Sequence, residues 1–174
     1  ILSRRARFNL LATATFWLSE TPEKIGAKGW DADFPRIVTW AKFEDLQTKK
    51  IFFHFNPHFD HKGEKARTES AKLLLAQIPK IAGKSPFVVT GDFNAKDDTA
   101  VYRILTGREA VGNFKLTDAR EVSVNGHFGG NSTFNAFKEL IPGNRIDYVF
   151  VGSEAKVLEH GILSDRWDGL WASD

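Results

Sequence analysis

The sequence predicts a mixed α/β fold, and three observations lead to that prediction. Short apolar and β-branched runs recur along the chain, each bounded by turn residues. One longer segment places its apolar residues at helical spacing. The 174 residues are 42% apolar and 26% charged and contain no low-complexity tract, as is typical of a globular protein. We therefore expect a single domain over residues 1–174.

Five segments have the composition of β-strands, and a sixth is a weaker candidate. Within residues 36–43 the side chains alternate, with Ile37, Thr39 and Ala41 on one side of the chain. The run 87–90 is short and apolar, which indicates a strand buried on both faces. The predicted strands are Arg7–Leu18, Arg36–Phe43, Ile51–Phe55, Phe87–Thr90 and Arg145–Val151, with Val157–Leu158 as the sixth candidate.

Two segments are predicted to be helices. In Glu64–Ile81, Ala71, Leu74 and Ile78 fall on one apolar stripe. Pro79 is expected to kink or end this helix. A shorter helix is predicted over residues 99–105. Residues 125–132, which are rich in Gly, Asn and Ser, are expected to form a loop, as is the chain from residue 161 onward.

The totals exclude several classes of site. With 24 basic and 22 acidic residues the net charge is +2, which is too even to predict nucleic-acid binding from bulk charge. The absence of cysteine excludes disulfides, thiolate metal sites and a cysteine nucleophile. No apolar stretch approaches the roughly 20 residues of a membrane span. The chain begins at Ile1 and has no methionine, so a targeting segment can precede it and localisation stays open.

Polar residues able to act on a phosphate follow the predicted strands, where sites on sheet scaffolds are usually built. Residues 56–61, which include His58, follow the third strand, and residues 91–94 follow the fourth. Asp92 and Asn94 are two apart, so in an extended segment their side chains point the same way. This pairs a carboxylate that can deprotonate water with an amide that can donate to an oxyanion. Further candidates along the chain are Asn135, Asp147 and Asp174.

Each of these candidates has a structural alternative. Asp92 and Asn94 suit a turn as well as they suit catalysis, because their side chains bond readily to nearby backbone groups. A lone histidine such as His58 is more often structural than catalytic. Alternatives of the same kind are a pairing of Asp147 with Arg145, a loop-holding role for Asp60 and His61, and a disordered chain end at Asp174. The order of the motifs, taken together, decides between these readings.

Nine short motifs occur in a fixed order. They are Phe-Trp-Leu-Ser-Glu-Thr-Pro at 16–22, Gly-Trp-Asp-Ala at 29–32, Pro-Arg-Ile at 35–37, Asn-Pro-His-Phe-Asp-His at 56–61, Ala-Arg at 66–67, Gly-Asp-Phe-Asn at 91–94, Thr-Phe-Asn at 133–135, Ile-Asp-Tyr at 146–148 and Ser-Asp at 173–174. In this order they resemble the endonuclease/exonuclease/phosphatase family of deoxyribonuclease-like enzymes. The resemblance is nearest to a bacterial branch close to the deadenylase-like members.

The resemblance implies a four-layer α/β/β/α sandwich and hydrolysis of phosphate esters by in-line attack of water. It implies a phosphodiesterase or nuclease first. The alternatives are a phosphomonoesterase on inositol phosphates or similar small substrates, and a non-catalytic binding module that retains the fold. It also implies that the N-terminal strands, the principal glutamate metal ligand and the last catalytic histidine lie outside this chain, so that the fragment alone is expected to be impaired. A monomer is expected.

The resemblance also implies roles for individual residues. His58 would contact the scissile phosphate, Asp92 would activate the water, Asn94 would stabilise the phosphorane, Asp147 would lie near the histidine, and Asp174 would approach the metal. Arg36, Asn135 and Trp167 would bind substrate, with Trp167 able to stack on the bases of a single-stranded nucleic acid. Oxygen ligands without thiolates favour Mg²⁺ or Mn²⁺, although His58 and His61 leave zinc open.

Overall fold

The structure is a computed structural model that describes residues 3–137, 141–163 and 165–171. It contains helices α1 (Glu64–Ala82) and α2 (Ala100–Thr106). The strands are β1 (Phe8–Trp17), β2 (Ile37–Asp45), β3 (Ile51–Pro57), β4 (Phe87–Asp92), β5 (Thr117–Asp118), β6 (His127–Gly129), β7 (Asp147–Val151), β8 (His160–Ile162), β9 (Arg166–Trp167) and β10 (Leu170–Trp171). The predicted mixed α/β class is confirmed. No helix of the described part is long and apolar enough to cross a membrane.

Six strands form one mixed sheet in the order β1-β2-β3-β4-β7-β5. The β3–β4 pair is parallel and the other neighbours are antiparallel. A parallel pair needs a crossover connection, and α1 provides it between β3 and β4. Two smaller sheets, β6-β8 and β9-β10, complete the described strands. The parallel pair therefore brings the ends of β3 and β4 to the same edge of the large sheet.

Both helices pack on one face of the large sheet. Leu74 and Ile78 of α1 are fully buried, as are Phe55 of β3 and Val89 of β4. The predicted apolar stripe of the helix is thus confirmed. Burial of such side chains stabilises a fold by about 1.5–3 kcal/mol each. Because side chains alternate along a strand, the opposite face of the sheet carries the intervening polar residues. The polar residues on this opposite face include Thr39, His54, Asn56, Thr90 and Asp92.

The start of α1 is fixed from a distant loop. Asp31 accepts hydrogen bonds from the backbone N–H groups of Ala66 (2.6 Å) and Lys65 (3.3 Å). These are two of the N–H groups that a helix leaves unsatisfied at its first turn. A Cβ on Gly63 would come within 2.7 Å of the Asp31 backbone and carboxylate oxygens, so the residue before the helix must be small. The loop at 29–32 and the loop at 60–63 are therefore held together.

Several local predictions were wrong. Pro79 does not end α1, which continues to Ala82, where Gly83 N–H bonds to the Pro79 carbonyl. Strand β4 is not buried on both faces, since Val89 is its one fully buried residue. Residues 125–132 contain β6, and the region after 161 contains β9 and β10. The candidate strand at 157–158 is replaced by β8 two residues later. Strands β6 and β8 depend on pairing between distant segments, which local composition does not reveal. Strands β9 and β10 pair with each other across a short turn.

Candidate active site

The ends of β3 and β4 approach each other unusually closely at Gly91. A Cβ at this position would lie 2.1 Å from the Pro57 carbonyl oxygen. Since real Cβ atoms do not come so near to an oxygen, only glycine permits this approach. The contact lets the chain continue with a parallel bridge between His58 and Asp92, and Phe59 N–H donates to the Asp92 carbonyl at 2.9 Å. The glycine of the motif therefore sets the histidine beside the aspartate.

Asp92 is the last residue of β4 and Asn94 lies beyond the strand, so the expectation that both side chains point the same way in one extended segment was wrong. Asn94 adopts a left-handed backbone conformation with φ of 47°, which asparagine tolerates better than most residues. Its N–H donates to Asp92 Oδ1 at 2.8 Å, closing a turn. Its side-chain amide donates to the Phe59 carbonyl at 3.0 Å. An amide has two N–H donors, so this bond occupies one of them.

His58 lies against Asp92, with 3.4 Å between His58 Nε2 and Asp92 Oδ2. Burial and the nearby guanidinium of Arg36 lower the pKa of His58, while the Asp92 carboxylate acts in the opposite direction. The net direction favours a neutral imidazole at neutral pH. A neutral ring next to a carboxylate can donate one hydrogen bond and accept another.

Asp60 holds the loops around the histidine together, as predicted. Its carboxylate accepts backbone N–H bonds from Lys62, Gly63, Asp33 and Phe34 at 2.8–3.2 Å, and it is 1% exposed. Burial alone would raise the pKa of Asp60, but these N–H donors, that of Gly63 foremost, hold it well below its usual range. The buried charge is thus stabilised by the backbone of two loops.

The same carboxylate orients Arg36. Arg36 Nε lies 3.4 Å from Asp60 Oδ2, and Arg36 Nη2 lies 3.0 Å from His61 Nδ1. Because a guanidinium can only donate, His61 Nδ1 must accept, which assigns the ring proton to Nε2. Phe34 stacks on the His61 ring with centroids 5.8 Å apart. Arg36 is therefore held in place on two sides, next to His58.

Asp147 stands at the first position of β7, directly across the sheet from Asp92. Paired positions place Cβ atoms about 4.5–5.5 Å apart, so the two carboxylates share one face of the sheet. The predicted alternative, an ion pair between Asp147 and the guanidinium of Arg145, was wrong. Arg145 instead forms a buried ion pair with Asp118 at 2.7 Å. Thr133 Oγ1 accepts N–H bonds from Ile146 and Asp147, which ties the loop before Asn135 to the start of β7.

One cavity of about 840 Å³ collects most of the predicted residues. The predicted side chains that line it are His58, Asp92, Asn94, Asp147, Arg36 and Asn135. Two predicted residues fall outside what the structure describes. They are Asp174 and the side chain of Trp167, whose backbone belongs to β9. The structure thus brings together residues from positions 36 to 147 that sequence spacing alone does not relate.

Sequence reasoning assigned no individual role at the site to several residues that line this cavity. They include Asn56, Thr90, His160 and Asp165. Asn56 donates to the Thr90 carbonyl at 2.6 Å, and His160 Nδ1 lies 2.9 Å from His127 Nδ1. Asn56 stands in the same motif as His58, so its place at the strand end was a usable signal. His160 and Asp165 had no such signal, because His160 belonged to no predicted element and Asp165 lay in a predicted loop.

The oxygen atoms at the site are of the type that binds a hard divalent cation. Asp92 and Asp147 offer carboxylate oxygens on one face of the sheet, and such oxygens are the ligands that Mg²⁺ and Mn²⁺ prefer. Among the described residues no group of three or more His, Cys, Asp or Glu side chains converges as a complete metal site. The described residues therefore fit such an ion in their chemistry.

The chain is similar to several known proteins. Residues 5–174 match the model of the Endonuclease/Exonuclease/phosphatase family. A crystal structure of a family member from Bacteroides vulgatus is 38% identical, with a TM-score of 0.88, over 96% of this chain and 63% of that one. A Bacteroides thetaiotaomicron mannosyl-6-phosphatase is 34% identical, with a TM-score of 0.85, over 94% of this chain and 60% of that one.

A protein of Acanthamoeba polyphaga mimivirus is 33% identical in an alignment 145 residues long, which covers 77% of this chain and 50% of that protein. The chain thus spans about half to three-fifths of the length of these relatives. The match to the two bacterial structures confirms the deoxyribonuclease-like fold class that the motifs implied.

Proposed function

The chain belongs to the endonuclease/exonuclease/phosphatase family, and we propose that it takes part in divalent-metal-dependent hydrolysis of small phosphomonoesters such as sugar phosphates. The observation that carries the proposal is the convergence of Arg36, His58 and Asp92 in one concave cavity. A fixed guanidinium is suited to bind phosphate oxygens, and the carboxylate is suited to orient a water molecule.

Phosphate esters as the substrate class follow from the family, whose members hydrolyse them. The preference for a small phosphomonoester is supported by two further observations. The bacterial relative at 34% identity is a mannosyl-6-phosphatase. A cavity of about 840 Å³ is within the size range of sites for small ligands. Hydrolysis of single-stranded nucleic acid, which the sequence placed first, is the alternative outcome of the same experiment.

In the proposed reaction the chain's own residues bind, orient and accept a proton. Arg36, held by Asp60 and His61, binds the phosphate. Asp92 orients the attacking water and accepts its proton, and His58 contacts the scissile phosphate. The second amide N–H of Asn94 donates to the phosphorane. Bound Mg²⁺ or Mn²⁺, with Asp174 as a ligand, would polarise the phosphoryl oxygens.

The test is an assay of the full-length protein with Mg²⁺ on mannose 6-phosphate, bis-p-nitrophenyl phosphate and single-stranded RNA. We expect mannose 6-phosphate to have the highest kcat/KM. Asp92→Ala should lower the metal-dependent kcat by about 10²–10⁴-fold, the contribution of general base catalysis. Asp98→Ala, at an exposed aspartate outside the lining of the cavity, is the matched control and should leave the rate unchanged. An unchanged rate in Asp92→Ala would contradict the role given to Asp92. A higher kcat/KM for RNA would contradict the proposed phosphomonoester substrate and identify a nucleic acid as the substrate.

A further inference from the structure

A second groove lies beside the candidate cavity. It has a volume of about 430 Å³, against about 840 Å³ for the cavity. Three side chains, Asn94, Phe134 and Ile146, line both spaces. The two spaces are therefore neighbours across a ridge formed by these residues, and a ligand that fills the cavity can extend over the ridge into the groove.

The groove carries more positive than negative charge. Arg67 and Lys96 line it together with a single carboxylate, that of Glu64, among the described residues. Arg67 is partly buried, and its Nη1 donates to the Asp60 carbonyl at 3.1 Å, which fixes the guanidinium at the edge of the groove. Since a guanidinium has five N–H donors, this bond leaves others to face a ligand.

The hydroxyl groups of the groove add little to its donors. Thr99 donates to the Lys96 carbonyl at 2.6 Å, and Thr68 bonds to carbonyls of its own helix. The principal donors are thus the two cations, with the Asn94 amide between the groove and the cavity. Cationic donors of this kind recognise phosphate through charge-assisted hydrogen bonds.

We propose that this groove binds a second phosphate group of the substrate, beyond the phosphate that is hydrolysed in the cavity. The inference rests on the proposed function, because it takes the cavity as the place of the scissile phosphate. Two kinds of substrate have this chemistry. One is a sugar that carries two phosphates, and the other is a short 5′-phosphorylated oligonucleotide, whose next phosphodiester would occupy the groove.

The experiment measures binding rather than turnover, so that it can be read even where hydrolysis is absent. Calorimetric titrations use the full-length protein with Mg²⁺ in an Asp92→Asn background, which keeps the Oδ1 acceptor for Asn94. The probes are mannose 6-phosphate and mannose 1,6-bisphosphate. We expect Lys96→Gln to weaken the bisphosphate about three- to tenfold, as loss of one charged contact does. The monophosphate should bind as before.

A second variant should change the affinity for the bisphosphate in the opposite direction. Among the described residues Glu64 supplies the single carboxylate of the groove. Glu64→Gln removes that charge and should tighten binding of the bisphosphate, which a loss of structure would not do. Lys84→Gln, at an exposed lysine that lines neither space, is the control and should change nothing. If Lys96→Gln and Glu64→Gln leave the ratio of the two affinities unchanged, the groove does not bind phosphate and the inference is overturned.

The two sources of the second phosphate are separated by a parallel titration with a 5′-phosphorylated dinucleotide and the corresponding 5′-mononucleotide. A larger loss in Lys96→Gln for the dinucleotide than for the bisphosphate assigns the groove to a nucleotide chain, and the reverse assigns it to a bisphosphorylated sugar. Failure of the proposed function is distinct from failure of this inference. It would appear as an inactive wild-type protein whose affinity for the bisphosphate still responds to Lys96 and Glu64.

Discussion

Asp92 shows that the structural and the catalytic interpretations of one residue need not compete. Its Oδ1 closes a turn by accepting the N–H of Asn94, and its Oδ2 faces His58 at 3.4 Å. A carboxylate has two oxygens with separate acceptor sites, so one can hold the loop while the other faces the cavity. The turn that the sequence suggested as an alternative is thus part of what presents the proposed catalytic group.

The protonation of His58 gives a prediction at the residue scale. Burial and then Arg36 lower its pKa below 6.5, while Asp92 raises it. In the metal-free protein, Arg36→Gln should therefore raise the pKa of His58, and Asp92→Asn should lower it further, because each variant removes one charge. Proton NMR titration of the imidazole Cε1–H measures both shifts. A shift of the same sign in the two variants would contradict the arrangement of charges described above.

At the scale of elements, the β3–β4 junction depends on Gly91. An alanine Cβ would lie 2.1 Å from the Pro57 carbonyl oxygen, which belongs to the backbone and cannot rotate away. We expect Gly91→Ala to destabilise the fold by about 1–3 kcal/mol, the range for overpacking, and to displace His58 from Asp92. Urea denaturation measures the first effect and the hydrolysis assay the second.

The matched control for that substitution is Gly130→Ala. An added Cβ at Gly130 meets no heavy atom within 4 Å, so this variant should have nearly the stability of the wild type. Equal stability of the two variants would mean that the close approach of β3 and β4 does not require glycine at position 91.

Helix α1 illustrates how tertiary packing overrides a local signal. Pro79 lacks an N–H and costs about 3 kcal/mol relative to alanine in a helix interior. The helix nevertheless continues to Ala82, because Ile78 and Ala82, on either side of the proline, are buried against the sheet. Pro79 itself points to solvent, so its ring displaces no core side chain.

Three histidines give the whole molecule a pH dependence of stability. Burial lowers the pKa of His54, of His58 and of His160, where the neighbouring His127 lowers it further. Their folded-state pKa values lie below 6.5, so as the pH falls through 6.5 the unfolded chain takes up protons first. Stability should therefore be full above pH 6.5 and decline below it. Urea denaturation at pH 7.5, 6.5 and 5.5 measures the decline.

The contribution of His160 can be isolated. In His160→Gln the decline between pH 7.5 and 5.5 should be smaller than in the wild type, because one of the three groups no longer titrates. A further loss is expected only in stronger acid, where Asp60, whose pKa is held well below its usual range by backbone N–H donors that outweigh its burial, becomes protonated. A wild-type protein with equal stability at pH 7.5 and 5.5 would exclude this assignment.

The sequence by itself determined the fold class, the main strands and helices, and most of the candidate site. The elements and the residues that follow β3 and β4 depend on local patterns, such as the apolar stripe of α1, and local patterns are legible without a structure. The deoxyribonuclease-like fold and Arg36 were predicted through the family that the ordered motifs resemble. Six of the predicted side chains line one cavity.

Tertiary structure alone decided which distant residues meet. Three contacts join segments that are far apart in the chain. Strand β6 pairs with β8, Asp60 binds Arg36 across 24 residues, and Arg145 forms its ion pair with Asp118 rather than with Asp147. The ridge that separates the cavity from the groove likewise joins Asn94 to Phe134 and Ile146. The physical reason is that such contacts arise from how the packed elements are placed, and no local spacing encodes that placement.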